Sequence, residues 1–313
     1  MDKATTIVTA CNRRFLWGTY LLATSLRFSK MTQPLHVMTY GLTPAENRLL
    51  EQFDSVHVFP SNGSGKFGVT LKKPEALLTA NSEFIAWLDA DSIVTGDVTR
   101  YLAPLGESFQ IRFREPRENV LRFKTPQYAL GEDRTAVPKS VLEAWREDVG
   151  ERTEPAMTAT CSANCFTLHR RYLDFVRRWK DQIVKLAPRY AGVQESPYTY
   201  GGRMSDELIL NSLLMFVHDP PKLSKYRLDT DPHAYLAHFG VNPKPWSRWQ
   251  PKHLKYFDSI LSMLDWCMDK GYETPPIPIS FKRDFKGLIA AASHVEHLLR
   301  KAYYKLRGQK REL

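Results

Sequence analysis

The stretch that most constrains the fold is residues 84–98, in which a short apolar run ends in two aspartates. Phe84–Leu88 has the length and composition of a strand buried on both faces of an α/β sheet. Asp89 and Asp91 follow it, one residue apart. Ligands of open α/β sheets bind outside the carboxyl ends of the strands, so this pair is placed to hold a divalent cation that bridges two phosphates. An aspartate of a turn or a helix N-cap is the structural alternative.

The residues around this stretch alternate between strand and helix patterns. Apolar and β-branched runs alternate with helical spacing, and Thr43-Pro44-Ala45-Glu46 combines a capping box with proline at the first helical position. The predicted elements are, in order, a strand at 4–10, a helix at 15–28, a strand at 35–40, a helix from Thr43, a strand at 55–60, a helix at 71–80 and the strand at 84–88. This β-α-β-α-β-α-β order predicts an α/β fold.

The following region, from about 99 to 160, is irregular and rich in prolines and charges. Short strands are predicted at 111–113 and 120–123, which favours a pocket-forming insertion over a surface linker. A strand at 162–169 and a helix at 170–186 come next. Two glycines within 194–204 indicate a mobile loop over a bound ligand.

Two further clusters carry polar chemistry. Ser205 has the character of a helix N-cap, and Asp206 and Glu207 in the first turn complement the helix dipole unless they face a ligand. His238 and Lys244 lie in a loop that prolines stiffen. An imidazole there suits a metal ion, and an ammonium group suits a phosphate.

Taken together, three motifs resemble those of glycosyltransferase family 8, which includes bacterial enzymes of lipopolysaccharide biosynthesis. They are D-x-D after a strand, D-[EQ]-x-x-x-N opening a helix, and H-x-x-x-x-x-K-P-W, and the resemblance spans about residues 5–246. It implies a GT-A fold, which is a Rossmann-like fold of nucleotide-diphospho-sugar transferases with a mixed central sheet. It also implies a UDP-sugar donor, Mn²⁺ (with Mg²⁺ as the alternative) and transfer with retention at the anomeric carbon.

The resemblance assigns a metal site and a phosphate contact. Asp89, Asp91 and His238 would bind the metal, and two carboxylates with one imidazole suit Mn²⁺. Lys244 would neutralise the departing diphosphate, which lowers the barrier when a nucleotide leaves.

The resemblance also assigns the donor contacts. Lys72, with Lys73 as its neighbour, matches a basic residue that contacts the donor sugar or phosphate. Asp206 would bind the hydroxyls of the donor sugar, and Glu207 would lie at the reactive face, where many members carry glutamine. A carboxylate there stabilises an oxocarbenium-like transition state or acts as a transient nucleophile, and we expect the first role.

Two positions depart from the family pattern. The first βα turn has Ala10 and Asn12 where an aspartate near the nucleotide is usual, so these two residues are the candidate nucleotide contacts. The glycine of the last motif, Gly240, comes one position earlier than is common.

Charge and cysteine content limit the remaining classes. The net charge is +10, but the 33 residues from 281 onward carry nine Lys/Arg and three Asp/Glu, so most of the excess lies in the tail. No nucleic-acid partner is therefore expected.

The last predicted helix, from about 285, is basic and amphipathic. It therefore suits an anionic membrane surface, and the alternative is that it caps the catalytic domain. Four scattered cysteines and the absence of a signal-peptide pattern predict a cytoplasmic protein, peripheral on the inner face of the membrane if the tail binds it.

The predicted organisation is a GT-A catalytic domain at 1–250 and a helical, basic C-terminal extension at 251–313. Within the catalytic domain, 1–100 binds the nucleotide sugar and 100–250 forms the acceptor side. The predicted partners are a nucleotide sugar and a saccharide or lipid-linked acceptor. A sugar nucleotidyltransferase and a catalytically silent nucleotide-sugar-binding protein remain alternatives, although 11–15 lack the glycine-rich phosphate loop that a nucleotidyltransferase needs.

Overall fold

The computed structural model describes residues 4–61, 70–103, 106–115, 118–119, 123, 137–200, 202–226 and 235–306. Its strands are β1 (Thr5–Asn12), β2 (Leu35–Tyr40), β3 (Val56–Ser61), β4 (Phe84–Leu88), β5 (Ser92–Val94), β6 (Phe109–Phe113), β7 (Cys161–His169), β8 (Thr199–Tyr200), β9 (Arg203–Met204), β10 (Leu223–Lys225) and β11 (Leu236–His238). Its helices are α1 (Leu16–Phe28), α2 (Pro44–Glu51), α3 (Lys73–Leu77), α4 (Lys139–Val149), α5 (Leu173–Tyr190), α6 (Asp206–Phe216), α7 (Phe257–Asp269) and α8 (Lys286–Leu306).

Within these residues, seven strands form a mixed sheet in the order β10-β6-β7-β4-β1-β2-β3. β1 to β4 run parallel where they pair, and β7 lies antiparallel between β4 and β6. β4 is therefore an inner strand, and all five of its side chains are buried, which explains its unbroken apolar run. The predicted α/β fold with a mixed central sheet is confirmed.

The predicted helices are present with small shifts at their ends. Those predicted at 15–28, 71–80 and 170–186 begin as 3₁₀ turns, and the second of them ends at Leu77 instead of residue 80. The capping box of α2 forms as predicted, because Thr43 Oγ1 accepts from the Glu46 N–H at 3.2 Å and Glu46 Oε2 accepts from the Thr43 N–H at 2.7 Å. The strand predicted at 120–123 lies outside the described residues, apart from its last position.

Beyond residue 250 the chain packs onto the main body and then ends in an exposed helix. α7 lies against α1, and Phe281 makes an edge contact with Trp17 at 5.3 Å between ring centroids. The apolar side chains Leu288 and Leu299 of α8 are 67% and 66% exposed. The predicted helical extension is therefore present, and its separation as a domain remains a prediction. No helix in the described ranges combines the length and hydropathy needed to cross a bilayer.

Gly18 allows α1 to pack directly against the aspartate turn that follows β4. A Cβ atom at this position would lie 2.3 Å from the carbonyl oxygen of Ala90 and 2.6 Å from Cη2 of Trp246. Real Cβ atoms do not approach a carbonyl oxygen this closely, so any larger residue would displace the turn. The position of Asp89 and Asp91 thus depends on a helix glycine far away in the sequence.

We expect Gly18→Ala to lower the free energy of unfolding by about 1–3 kcal/mol, since overpacking against backbone outweighs the gain of about 1 kcal/mol in helix propensity. Urea denaturation of both proteins measures the difference. Gly287→Ala in α8 is the matched control, because a Cβ there meets nothing within 4 Å. Equal stabilities of the two variants would contradict the packing constraint.

Candidate active site

A cavity of about 930 Å³ opens at the sheet edge where β1, β4 and β6 end and the antiparallel β7 begins. Its lining comes from segments throughout the chain, as expected for a ligand site at the carboxyl ends of parallel strands. The cavity brings together eight of the nine predicted site residues, namely Ala10, Asn12, Asp89, Asp91, Asp206, Glu207, His238 and Lys244.

Two carboxylates and an imidazole form a compact group in this cavity. β11 pairs antiparallel with β5 so that His238 lies opposite Ser92, directly after the aspartate turn. His238 Nε2 is 3.2 Å from Asp91 Oδ1 and 3.6 Å from Asp89 Oδ2. One ligand atom from each residue lies within 4.8 Å of the others. This set of oxygen and nitrogen donors fits a divalent cation such as Mn²⁺.

Each aspartate uses its other oxygen to hold its position. Asp89 Oδ1 accepts from Trp87 Nε1 at 2.6 Å and from Lys73 Nζ at 3.2 Å, which directs Oδ2 towards His238. Asp91 Oδ2 accepts from Lys244 Nζ. Burial opposes ionisation of Asp91, but His238 and Lys244 outweigh it and hold the pKa of this carboxyl below its usual value. Burial likewise opposes the charged form of His238, and Asp91 with Asp89 outweighs it and raises the pKa of the imidazole.

Gly240 has a structural reason to be glycine at its unusual position. A Cβ atom there would lie 2.7 Å from Cε1 of His238, so a side chain would displace the imidazole from its present position. A glycine at this early position of the last motif therefore leaves room for the His238 imidazole.

Of the neighbouring Lys72 and Lys73, it is Lys73 that lines the cavity, whereas Lys72 was the predicted contact. Lys73 Nζ lies 3.2 Å from Asp89 Oδ1 and 3.1 Å from Asp206 Oδ2, and it donates to the carbonyl oxygen of Ala163 at 2.5 Å. Burial alone would lower its pKa, but Asp206 and Asp89 outweigh burial and raise it. Lys72 points elsewhere and pairs with Glu75 at 2.9 Å. The first turn of a short helix directs neighbouring residues to different sides, which one sequence position cannot reveal.

Asp206 presents a buried acceptor to the cavity. Its Oδ2 atom forms an ion pair with Lys73 Nζ at 3.1 Å and has no other donor in the described part of the chain. Burial raises the pKa of Asp206, Lys73 lowers it, and the negative charges of Asp89 and Glu207 raise it, with a net increase. An oxygen in this state gains from a ligand hydroxyl.

Glu207 is clamped by an arginine that the sequence analysis did not select. Arg114, just after β6, donates Nε to Oε1 and Nη2 to Oε2, both at 3.1 Å. The backbone N–H of Ala163 donates to Oε2 at 2.9 Å. A bidentate arginine fixes the plane of the carboxylate and makes the oxygens weaker nucleophiles. Arg114 follows a predicted strand directly, which is the signal that would have found it.

At the end of β1, Ala10 and Asn12 line the same cavity. Asn12 Oδ1 is buried and has no hydrogen-bond donor among the described residues. Asn164, near the start of β7, is a second lining residue that sequence reasoning missed. Its backbone oxygen accepts from the Asp89 N–H at 3.1 Å, and its side chain lies 3.1 Å from His238 Nδ1.

A mixed central sheet with an aspartate turn at the carboxyl end of an inner strand is the arrangement of the GT-A glycosyltransferase fold. Solved structures with the same fold include the glycosyltransferase GlyE of Streptococcus pneumoniae TIGR4, with 15% identity over 88% of this chain and 65% of that one, at a TM-score of 0.51. The WbbM bifunctional glycosyltransferase in its apo form shares 13% identity over 86% of this chain and 51% of its own, at a TM-score of 0.54.

The chain thus spans about half to two thirds of these two proteins. No family model and no curated protein matches the sequence. At this identity the likeness establishes the fold, and the predicted GT-A fold is confirmed. The activity has to be inferred from the site.

Lys73→Met should destabilise the protein by about 3–5 kcal/mol at pH 7, because it leaves the Asp89 and Asp206 carboxylates without the ammonium group that they share. Lys72→Met is the matched control, since it removes a partly exposed pair with Glu75 worth about 0–1 kcal/mol. Chemical denaturation of the two variants measures the difference. A larger loss for Lys72→Met would reverse the assignment of the two lysines.

Proposed function

We propose that this protein is a metal-dependent, retaining glycosyltransferase that transfers a hexose from a UDP-sugar to a saccharide or glycolipid acceptor. One observation carries the proposal: a single cavity joins three possible metal ligands and the buried Lys244 to two buried carboxylates, Asp206 and Glu207. The possible metal ligands and Lys244 suit the diphosphate of a nucleotide sugar. Asp206 and Glu207 suit its sugar. The shared fold of solved glycosyltransferases supports the same class.

Asp89 Oδ2, Asp91 Oδ1 and His238 Nε2 would hold the metal, for which Mn²⁺ is our first choice and Mg²⁺ the alternative. When bound, the ion neutralises the diphosphate oxygens and the negative charge that develops on the leaving nucleotide. Asp91 is the more buried of the two aspartates, and Lys244 holds its second oxygen. Both properties keep the donor set in one arrangement before a ligand arrives.

Lys244 would add a second positive charge at the diphosphate. Its Nζ donates to Asp91 Oδ2 and to the carbonyl oxygen of Phe239, so among the described residues it uses two of the three N–H groups of an ammonium. The third would donate to a phosphate oxygen. The charge is buried and fixed, so little reorganisation accompanies departure of the nucleotide.

The two buried acceptors suggest how the rest of the donor binds. Asp206 Oδ2 would accept from a hydroxyl of the donor sugar, and Asn12 Oδ1 would accept from the base or ribose of the nucleotide. Lys73 would favour the charged form of Asp206 and orient it towards the sugar. Each buried oxygen then gains a hydrogen bond from the ligand.

Glu207 would stabilise the transition state rather than form a bond to the sugar. Arg114 and the Ala163 N–H occupy both of its oxygens, which supports an electrostatic role and disfavours attack on the anomeric carbon. The fixed carboxylate would face the positive charge that develops on an oxocarbenium-like sugar.

Two alternative functions and one partner remain to be distinguished. A silent binding protein releases no nucleotide, and a sugar nucleotidyltransferase releases pyrophosphate, whereas a glycosyltransferase gives nucleoside diphosphate and an extended sugar.

An anionic membrane surface as partner of α8 remains a prediction, supported by the basic composition of the tail and by the exposed apolar side chains of this helix.

We expect a UDP-sugar to raise the melting temperature only when Mn²⁺ is present. Saturation at about 100 times the dissociation constant stabilises by about 2.7 kcal/mol, which corresponds to a shift of several degrees. Asp91→Asn should abolish the shift. Asp97→Asn is the control, because Asp97 is exposed, lies outside the cavity and accepts a hydrogen bond from the Thr99 N–H. Full stabilisation by UDP-sugars after chelation of metal would contradict the assigned ligands.

Glu207→Gln should lower kcat for sugar transfer about tenfold to a hundredfold, because a neutral amide stabilises developing positive charge less well than a carboxylate does. KM for the donor should change less, since the amide keeps an oxygen for Arg114. Steady-state assays of nucleotide release together with product analysis measure both constants. Transfer at the parental rate would show that the charge of Glu207 has no catalytic part.

A further inference from the structure

Asn164 contacts two of the three proposed metal ligands. Its carbonyl oxygen accepts from the Asp89 N–H at 3.1 Å, where β7 runs alongside the end of β4. Its side-chain Nδ2 lies 3.1 Å from His238 Nδ1, the ring nitrogen on the side away from the aspartates. One residue of a central strand therefore fixes both the aspartate turn and the imidazole that arrives from the far end of the chain.

The Asn164 amide belongs to a longer hydrogen-bonded chain. Ser162 Oγ donates to Asn164 Oδ1 at 2.6 Å, and Arg114 Nη2 donates to Ser162 Oγ at 3.2 Å. Arg114 also makes the bidentate contact with Glu207. A continuous set of polar contacts thus joins the proposed metal site to the carboxylate at the proposed reactive face.

The amide can adapt to the metal-binding form of His238. An imidazole that ligates through Nε2 carries its proton on Nδ1 and needs an acceptor there. Rotation of the carboxamide by half a turn places Oδ1 opposite Nδ1–H and lets Nδ2 donate to Ser162 Oγ. Both orientations keep every contact of the amide, because a carboxamide offers a donor and an acceptor of nearly equal shape.

We propose that Asn164 is a positioning residue that holds the His238 ring with Nε2 facing the proposed metal position, and that Ser162 and Arg114 hold its amide in register with Glu207. The inference rests on the proposed metal site, and it gives a residue outside the sequence motifs a defined task. Asn164 binds no metal itself in this proposal. It holds the His238 ring in the orientation that binds the metal.

Titration of the protein with Mn²⁺, followed by electron paramagnetic resonance without any sugar nucleotide, tests the inference. We expect Asn164→Leu to weaken Mn²⁺ binding by about 10- to 100-fold, the usual effect of losing the group that orients a metal-binding histidine. Thr167→Val is the matched control on the same strand. Its hydroxyl is buried without a hydrogen-bond partner among the described residues, so Mn²⁺ affinity should not change.

Asn164→Asp is a second variant, which keeps the test valid if Asn164→Leu fails to fold. Aspartate has the shape of asparagine and keeps an acceptor for Nδ1–H, so we expect Mn²⁺ affinity within about threefold of the parent. A tenfold loss in this variant, or parental affinity in Asn164→Leu, would overturn the role of Asn164 while leaving the metal site intact. If the parent protein itself bound no Mn²⁺, this inference and the proposed metal dependence would both be overturned.

Discussion

The site depends on buried negative charge that two lysines hold in place. Asp89, Asp91 and Asp206 converge at one edge of the sheet. Lys73 pairs with Asp89 and Asp206, and Lys244 pairs with Asp91. Carboxylates taken out of water this close together repel one another and lose hydration, so without the lysines they would take up protons or move apart. The ion pairs favour the charged forms of these acids and hold the carboxylates in place, as the proposed binding of a cation and a sugar requires.

Close backbone packing brings the distant parts of the site together. The short β5–β11 ladder places His238 beside the aspartate turn, and the Phe239 N–H donates to the Asp91 carbonyl oxygen at 2.8 Å. Two glycines permit this approach, Gly18 against the turn itself and Gly240 beneath the imidazole. The proposed metal site is thus a product of tertiary packing as much as of the residues that form it.

The proposed reactive face shows a different principle, in which a carboxylate is restrained instead of exposed. Arg114 holds Glu207 in one orientation, and the chain through Ser162 and Asn164 continues to His238. Polar networks of this kind gain from low dielectric surroundings when every member has a partner. Chemistry at the sugar and binding at the diphosphate would then share one set of contacts.

The sequence by itself determined the α/β fold and most of the residues at the sheet edge. An inner strand must be apolar on both faces, and ligands bind where parallel strands end, so Phe84–Leu88 followed by Asp89 and Asp91 carries both kinds of information. Only the tertiary structure decided between Lys72 and Lys73, because that choice depends on the direction of one short helical turn. It also revealed Asn164, since the amino end of a strand reaches this edge only when the strand runs antiparallel, which depends on pairing between segments far apart in the chain.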